Sequence, residues 1–372
     1  MSKFLSKKSI LAIATLAGTI IGVGLFALPY LTLQVGFWMI LVYFIILGSL
    51  VILVHLFFGE LALQTPDQKR LPGFAKIYLG KTGEKIALLS FIFGLFGALL
   101  AYLIVGGEFL SELFMPIFGG NSLIYTFIYF IAGTFLIYFG IQSIAKVEFW
   151  GLIILFLILI IIFLKGLPLI KITNLFPSPD FSKFFLPYGP ILFSLWGAAV
   201  IPEIEEMLKE NKKMLPQLIF ISIILAILIY LFFIIIILGI TGQATTPSAL
   251  TGLNQILGKS IGKLGLLFGL VTTFTSFIML GLALKKVFCY DLKLNQTLAW
   301  LISCFMPLMF FLAGFKNFIS VIAMVGGVML GIDGILILLM YQKIKPRKNF
   351  LIYLLTLIFL GGIVYELINF FL

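Results

Sequence analysis

The sequence predicts an all-α polytopic membrane protein with about eleven transmembrane helices. Of its 372 residues, 62% are hydrophobic and 10% are charged, whereas a soluble domain is about half apolar and about a quarter charged. The apolar residues lie in long uncharged runs, such as 153–164 and 218–240, and a helix that spans a bilayer needs about 20 such residues. This composition excludes an ordinary soluble enzyme and a nucleic-acid-binding domain, so the net charge of +11 needs a membrane explanation.

Hydrophobicity divides the chain into eleven predicted spans joined by short loops, which leave no room for an extramembrane catalytic domain. The first span begins after Lys8 and continues through Pro29 without the small-residue cleavage site of a signal peptide, so we expect it to stay in the mature protein. The predicted spans are 9–33, 36–63, 85–115, 121–141, 147–168, 187–207, 213–241, 261–288, 295–314, 318–342 and 349–371.

Basic residues set the predicted orientation. With the N-terminus in the cytoplasm, the inside segments carry 19 Lys and Arg residues and the outside segments carry 6, as the positive-inside rule requires. A missed span would exchange the inside and outside segments that follow it and would remove this bias. We therefore expect an integral protein of a prokaryotic plasma membrane, in contact with the lipid bilayer and with its C-terminus outside. The oligomeric state stays open.

Glycines interrupt the first span. Gly18, Gly22 and Gly24 lie at mid-depth, and Pro29 follows one turn further out. Glycine weakens a helix, and a break within lipid is tolerated only where the freed backbone lines a cavity or binds a ligand. The alternative is an unbroken helix that uses small residues to pack closely against a neighbour. Glycine spacing alone leaves both interpretations open.

A break here would offer opposite charges on its two sides. N–H groups that begin an outer half-helix carry the positive end of its dipole, which suits a carboxylate. Carbonyls that end the inner half-helix suit an ammonium group or a sodium ion. The N–H groups are those of Val23, Gly24 and Leu25, and the carbonyls are those near Gly18, Ile20 and Ile21.

The sixth span is interrupted in the same way, with Gly197 at mid-depth and Pro202 five residues later. Interrupted spans at matching positions of two halves predict an inverted-repeat transporter. The breaks lie about 174 residues apart, and the same offset brings the third and fifth spans onto the eighth and tenth. We therefore predict a single transmembrane domain made of repeats at 9–168 and 187–342, plus an extra helix at 349–371.

Several strings resemble one transporter superfamily. Residues 18–30, GTIIGVGLFALPY, resemble the first-helix signature of the amino-acid–polyamine–organocation superfamily. Residues 192–203, LFSLWGAAVIPE, resemble its amino acid/auxin permease branch, which includes bacterial aromatic amino acid permeases. Shorter matches are GEL at 59–61, GALLAY at 97–102 and TSF at 275–277. The resemblance covers about ten helices and implies a five-plus-five inverted-repeat fold, with discontinuous first and sixth helices, and secondary transport of amino acids.

By position, the resemblance places the substrate carboxylate on N–H groups of the first break and its amino group on carbonyls of both breaks. Tyr102 and Trp196 would flank the substrate side chain, although packing explains either aromatic ring equally well. No obvious charge faces the pocket, so the resemblance implies a neutral or aromatic amino acid. The predicted substrate site comprises Ile20, Gly22, Val23, Gly24, Leu25, Tyr102, Ser194, Leu195, Trp196 and Gly197.

The eighth span suggests a coupling-ion site. Sodium-coupled members of the superfamily use hydroxyls of this helix with carbonyls of the first helix, and a hard cation prefers such oxygen ligands. Alternatively, the hydroxyls bond to their own helix. Proton-coupled relatives can place a basic group in the fifth helix, where Lys146 is more simply an interfacial lysine. We expect sodium in preference to a proton and no other metal or cofactor. The predicted ion site comprises Gly18, Ile21, Thr272, Thr275 and Ser276.

Ionisable residues at membrane depth are costly and are therefore functional candidates. Asp333 in the tenth span is a candidate gate or proton site, with a structural hydrogen bond as the alternative. Glu203, which follows the sixth-span proline, is a candidate for an inner gate. We expect His55 to be a packed, hydrogen-bonded core residue. The outer segment 248–258 is expected to form either a lid over the pathway or an interfacial helix.

Other acidic residues are expected near the membrane surfaces. Glu108 and Glu112 lie on one face of the third helix and predict a solvated vestibule lip. Glu205 and Lys209 have the i,i+4 spacing of an ion pair on a solvated face. Glu60 is expected to pair with a basic residue near the inner surface.

Together these features predict a secondary active transporter for a neutral amino acid, coupled to sodium or protons and working by alternating access. Two other hypotheses are an amino acid sensor that keeps the permease fold without transporting, and an intramembrane enzyme acting on lipid-linked substrates. The sequence lacks clustered mid-depth Asp, His or Glu residues with catalytic spacing, which disfavours the enzyme. Cys289 and Cys304 have no His neighbours and do not suggest a metal site.

Overall fold

The computed structural model describes residues 7–65, 69–139, 144–346 and 349–371, and within these ranges the chain is helical and has no strand. Among the described helices, seven are long and apolar enough to cross a membrane, and one bent pair forms an eighth span. The remaining predicted spans are two shorter apolar helices and a second broken pair. All eleven predicted spans therefore have helical counterparts.

The first span is broken, as predicted. Helix α1, Lys7–Ile20, stops before a 3-10 turn, Val23–Ala27, that leads into α2, Leu28–Val35. The two halves are bent by 51°. Pro29 lies in the first turn of α2, where an N–H would have no acceptor within the helix, so its absence in proline costs no hydrogen bond. Gly36 ends α2 at φ 87°, a backbone conformation that side chains disfavour.

The helices that complete the first repeat are α3, Phe37–Gln64, α4, Leu71–Phe118, α5, Ser122–Phe139, and α6, Ile144–Gly166. Helix α4 bends at Gly80, where φ is 76°. Residues 71–79 therefore form a short separate helix before the third span. A short helix, α7, Ile172–Leu175, lies in the connection between the repeats.

The sixth span is broken as well, and the tenth contains a π-helical turn that the sequence analysis did not predict. The segment 248–258 belongs mostly to the start of α11. In order, the elements are α8, Tyr188–Leu195, a 3-10 turn, Ala198–Val200, α9, Ile201–Leu208, α10, Leu215–Thr241, α11, Leu250–Tyr290, α12, Gln296–Leu312, α13, Phe318–Met324, the π turn, Val325–Met329, α14, Leu330–Ile344, and α15, Asn349–Phe371.

The two broken spans lie at the centre of the bundle. Helix α1 packs on α9 and α10, while α8 packs on α3 and on the π turn. Leu25 and Leu195 are at most 2% exposed, whereas Trp38 and Ile45 on α3 are more than 60% exposed and are available to lipid. We name the end of the bundle that carries Arg70 the inner end, after the predicted orientation, and the opposite end the outer end.

Candidate functional site

The first break forms because the backbone leaves the helix at Gly22. The N–H of Ile21 still donates to Ala17 O at 2.8 Å, but the N–H of Gly22 turns back to Ile20 O at 2.9 Å. Gly22 is extended, with φ −110° and ψ −151°. The regular i to i+4 ladder therefore stops here, and the next N–H groups need other acceptors.

These N–H groups have different partners. The N–H of Leu25 donates to Gly22 O at 3.2 Å and opens the 3-10 turn, so this predicted carboxylate ligand already has an acceptor. The N–H of Val23 donates to the Tyr102 hydroxyl at 3.1 Å. A methyl group on Gly22 would collide with that hydroxyl, so only glycine allows this approach. The Tyr102 oxygen therefore accepts a hydrogen bond where a carboxylate oxygen could do so.

The second break follows Leu195, where α8 ends. Trp196 is extended, with φ −81° and ψ 123°, and the N–H of Gly197 donates to Nε2 of His55 at 2.9 Å. His55 is fully buried, and its ring meets that of Trp196 edge-on at 5.0 Å. The predicted core role of His55 is confirmed, and the structure adds that the imidazole accepts a hydrogen bond from a freed N–H of the break.

Glycines let the two breaks touch. A methyl group on Gly24 would lie 3.1 Å from Cα of Ser194, and one on Gly197 would lie 2.8 Å from side-chain carbons of Ile20 and Leu16. Both distances are shorter than ordinary van der Waals contact. The predicted residues of the first and sixth spans are therefore brought together by positions that have no side chain.

Tyr230 of α10 joins the two breaks directly. Its hydroxyl lies 2.7 Å from Ile20 O and 2.6 Å from Ser194 O. A hydroxyl has one proton and donates to one acceptor at a time. These are two of the carbonyls predicted to bind an amino group. The sequence analysis missed Tyr230, although a tyrosine at mid-depth in a nearly continuous apolar helix is the signal that could have identified it.

A cavity of about 150 Å³ adjoins both breaks. Its walls are mostly apolar, and its polar groups are those of the breaks and a pair near the inner end. The lining includes Gly22, Gly24, Phe91, Ala98, Tyr102, Phe193, Ser194, Trp196, Gly197 and Leu280, with Ser90 and Asp333 toward the inner end.

The cavity is closed on its outer side and opens toward the inner end. Phe26 packs edge-on against Phe109 at 5.2 Å and against Phe233 at 6.1 Å, and all three are at most 2% exposed. On the inner side, Ala199 lines the cavity and is exposed, and Glu203 one turn further along is exposed as well. The two breaks are therefore closed off at the end named outer and reached from the end named inner.

One of the hydroxyls predicted to bind an ion, that of Thr275, contacts its own helix. Thr275 Oγ1 lies 3.1 Å from Val271 O and 3.0 Å from Thr272 O. Thr272 and Ser276 are half-buried. Within the described residues, no hydrogen bond joins an α11 hydroxyl to the first break. The predicted partners from the first span lie at the end of α1 and in the break: Gly18 and Ile21.

A family model described as the tryptophan/tyrosine permease family matches residues 6–369. The chain belongs to this family. A tyrosine-specific transport system 1 from Haemophilus influenzae is 25% identical over 282 residues, which are 73% of this chain and 70% of that protein. The predicted resemblance to amino acid permeases is thus confirmed.

Solved structures similar to this permease share its fold. MhsT, crystallised in complex with L-phenylalanine, gives a TM-score of 0.70 at 16% identity and covers 96% of this chain and 99% of its own. Mhp1, a nucleobase-cation-symport-1 family transporter with bound bromovinylhydantoin, gives 0.65 at 15% identity, with 97% and 90% covered. The five-plus-five inverted-repeat fold is confirmed.

This permease is a multi-pass integral membrane protein that carries out secondary transport of amino acids. It is not an enzyme, so the hypothesis of a lipid-processing enzyme is wrong.

Asp333 of this permease is hydrogen-bonded and nearly buried. Ser90 on α4 donates to its carboxylate at 2.5 Å, and Asp333 is 4% exposed at the inner end of the cavity. This contact ties α14 to α4. Glu203, by contrast, lies exposed in the inner opening, where the positive charge of Arg70 acts on it.

The predicted solvated face on α9 is wrong for Glu205. Its side chain is 7% exposed and forms an ion pair with Lys212. The reason is that α9 ends at Leu208 and a 3-10 segment with a kink at Asn211 follows. The side chain of Lys209 lies outside the described part of the chain.

Three further predictions on charged residues have different outcomes. Glu60 pairs with Lys345 at 3.1 Å near the inner end, as expected. Glu108 is half-buried and accepts a hydrogen bond at 2.9 Å from Ser248, which is 1% exposed. Glu108 is therefore only partly solvated at the predicted lip, because it also anchors the segment that leads into α11. The side chain of Lys146 lies outside the described part of the chain.

Proposed function

We propose that this permease transports an aromatic amino acid, tyrosine or tryptophan, by alternating access around the two breaks. Its relative from H. influenzae is named for tyrosine transport, and MhsT was crystallised with L-phenylalanine. The rings of Phe91, Phe193 and Trp196 line the cavity beside the breaks. An aromatic side chain bound there would exchange water for apolar and ring contacts.

The observation that carries this proposal is the single Tyr230 hydroxyl between two backbone carbonyls. The one hydroxyl proton reaches only one of these oxygens at a time, and Ile20 O also accepts from the N–H of Gly22. A substrate ammonium group has three N–H donors, which can fill the remaining acceptor positions of both carbonyls. In the proposed complex, the ammonium group binds these carbonyls. The carboxylate accepts from the N–H groups of Val23 and Gly24, where the start of a half-helix favours an anion.

Side-chain selection would follow from the rest of the cavity. Leu195 and Gly197 hold the second break against the substrate, and Trp196 and Tyr102 flank its side chain. On binding, the N–H of Val23 would donate to the substrate carboxylate and would no longer donate to the Tyr102 hydroxyl. Since the walls are mostly apolar and Asp333 is held by Ser90, an amino acid with a charged side chain would lose its hydration without compensation.

The proposed coupling ion is sodium or a proton. A sodium site requires hydroxyls of α11 to leave their own carbonyls and face the first break, and a proton requires a buried acid. Asp333, which lines the cavity toward the inner end, is a candidate for proton binding and for the inner gate. Glu203, which is exposed one turn beyond the cavity-lining Ala199, is the other candidate for the inner gate. The proposed sodium ligands are Gly18, Ile21, Thr272, Thr275 and Ser276.

Uptake of labelled tyrosine by purified protein in liposomes tests the substrate. We expect tyrosine, tryptophan and phenylalanine to compete with the label, and lysine and glutamate not to compete. Tyramine lacks the carboxylate and N-acetyl-L-tyrosine lacks the ammonium group, so neither should compete if both breaks bind the substrate backbone. Equal competition by these two analogues would refute the proposed pose.

The coupling ion is tested in the same liposomes by imposing one gradient at a time. If sodium is the coupling ion, we expect a sodium gradient to drive more uptake than a matched choline gradient. If the proton is the coupling ion, we expect a proton gradient to drive uptake above background. Binding of labelled tyrosine without flux under either gradient, or in exchange against internal tyrosine, would favour the sensor and contradict transport.

A further inference from the structure

Glu366 is a buried acid that the proposed transport mechanism does not use. It lies on α15, the extra helix outside the two repeats, and is 3% exposed. Its Oε1 has no hydrogen-bond partner within the described part of the chain. An ionised carboxylate without full compensation is costly inside a membrane protein, so such a residue is a candidate for a functional site.

Glu366 is surrounded by two irregular parts of the fold, the start of the broken sixth span and the π turn of the tenth. Gly189 is in the first turn of α8, the outer half of the broken sixth span, and Gly327 is in the π turn of the tenth span. A methyl group on Gly189 would lie 2.6 Å from Oε1, and one on Gly327 would collide with Cγ of Glu366. These two elements leave no space for a hydrated cation between them and the carboxylate.

No basic side chain faces this carboxylate among the described residues. The ionisable groups that act on it are phenols: Tyr188 of α8, Tyr43 of α3 and Tyr365 of α15. Segment 318–329, which forms α13 and the π turn, contains no ionisable residue.

The hydroxyls of Tyr43 and Tyr188 already donate hydrogen bonds to backbone carbonyls. The Tyr43 hydroxyl donates to Phe184 O at 2.8 Å, and the Tyr188 hydroxyl donates to Ile358 O at 3.2 Å. Neither proton is therefore available to Oε1 of Glu366. A ligand that neutralises this carboxylate must be small enough to fit without a cavity, and a proton meets that condition.

We propose that Glu366 is a proton-binding site that links protonation to the movement of α8 against the π turn and α15. This inference rests on the proposed cation coupling and names the proton as the ion. When ionised, the carboxylate attracts the N–H groups that begin α8 at Gly189, where the helix dipole is positive. When a proton from the outer side binds, that attraction is lost and α8 can separate from α15.

The π turn gives this proposal an independent structural basis. A π-helical turn is rare and is found mostly at functional sites, because it inserts a residue into the regular ladder. Here it spans Val325–Met329 and packs on α8 and α15 as well as on α4. Glu366 therefore contacts the point where the tenth span is irregular and the point where the broken sixth span begins.

The test compares Glu366→Gln with wild-type protein in liposomes that contain a pH-sensitive dye. The control is Glu84→Gln, which removes a partly exposed acid that pairs with Lys76 near the inner surface. In wild type and control, addition of the transported amino acid is expected to acidify the interior. In Glu366→Gln, we expect loss of that acidification, with exchange of labelled for unlabelled substrate retained, because exchange needs no net proton movement.

Acidification by Glu366→Gln at the wild-type rate would overturn the proposal. Sodium-driven uptake by wild type without any proton movement would overturn it too, while leaving the aromatic substrate proposal intact. The labelled compound is the amino acid that the competition panel identifies, so failure of tyrosine as substrate gives a separate result.

A second measurement keeps the proposal testable if Glu366→Gln is inactive in exchange. Infrared difference spectra between acidic and alkaline buffer are expected to contain the stretch of a protonated carboxyl group in wild type and in Glu84→Gln. Loss of this band in Glu366→Gln supports the assignment. An unchanged band in that variant would show that another acid binds the proton, and the proposal would be wrong.

Discussion

Gly24 controls how closely the two breaks approach each other. In Gly24→Ala, the new Cβ would lie 3.0 Å from Cβ of Ser194 and 3.1 Å from its Cα. Because backbone atoms cannot rotate away, α8 must shift, and overpacking of this kind costs about 1–3 kcal/mol. We expect tyrosine uptake to be lost while the protein still folds, as measured by transport in liposomes and by thermal unfolding.

The matched control for this substitution is Gly361→Ala on α15. A methyl group there meets no atom within 4 Å, and alanine favours a helix over glycine by up to about 1 kcal/mol. Uptake should equal wild type and thermal stability should not fall. Normal uptake by Gly24→Ala would show that contact between the breaks is not needed for transport.

Tyr230→Phe removes the hydroxyl that the Ile20 and Ser194 carbonyls share. The empty protein then loses a buried donor, which costs about 1–3 kcal/mol, whereas a bound ammonium group would supply donors to the same oxygens. We therefore expect a lower unfolding temperature without ligand and a larger stabilisation by tyrosine than in wild type. Thermal unfolding with and without tyrosine measures both, and loss of stabilisation by tyrosine would contradict the proposed ammonium position.

Some of these residues could be predicted from the sequence and others could not. The glycines of both breaks could be predicted because glycine and proline leave a local signal in the chain. Tyr230 and Glu366 could not be placed, because their importance comes from helices that are distant in sequence. Only their chemistry was visible, as a phenol at mid-depth in α10 and an acid in the last span.

At the scale of elements, each break needs an acceptor for its freed N–H groups. In the sixth span, α3 provides it through Nε2 of His55, which binds the N–H of Gly197. His55→Phe keeps a ring against Trp196 but removes the acceptor, so a buried N–H is left unsatisfied. We expect a loss of about 1–3 kcal/mol in the free energy of unfolding, measured by chemical or thermal denaturation.

His55→Gln serves as the control because its side-chain carbonyl can accept the same hydrogen bond. It should recover most of the stability that His55→Phe loses. If both variants are as stable as wild type, the N–H of Gly197 must find another acceptor, and His55 would serve packing alone.

The boundaries of several helices could be predicted well, whereas the early starts of α4 and α11 and the irregular turns inside the helices could not. The spans of α3, α10 and α15 agree with hydropathy because lipid fixes their length and composition. The π turn and the 3-10 segment after α9 escaped prediction. Both depend on packing between helices: the first brings Gly327 onto Glu366, and the second turns Glu205 toward Lys212.

At the scale of the whole molecule, the structure represents one state of the transport cycle, closed at the outer end and open at the inner end. An aromatic cluster around Phe26 closes the outer side, and Ser248 anchors the segment before α11 to Glu108. The inner side has an opening at Ala199 and Glu203. Fold and repeat symmetry follow from the sequence, but the choice between two nearly equal arrangements depends on small energy differences between contacts.

This arrangement predicts that position 199 is accessible from the cytoplasm and is affected by substrate. Ala199→Cys, in a background with Cys289→Ser and Cys304→Ser, is expected to react with a membrane-impermeant thiol reagent in inside-out vesicles. Reaction in right-side-out vesicles should be much slower, because the outer aromatic cluster blocks the path. Saturating tyrosine should change the rate, since Ala199 lines the same cavity as Trp196.

The parent without cysteines gives the background rate for this experiment, and Phe26→Cys in the same background gives a comparison from the opposite side of the break. Phe26 is 2% exposed, so its substitute should react slowly from the cytoplasm and faster from outside as outward-facing states are sampled. Fast labelling of Ala199→Cys from outside alone would mean that the predicted orientation of the chain in the membrane is reversed. Equal labelling from both sides would mean that the cluster around Phe26 does not close the pathway.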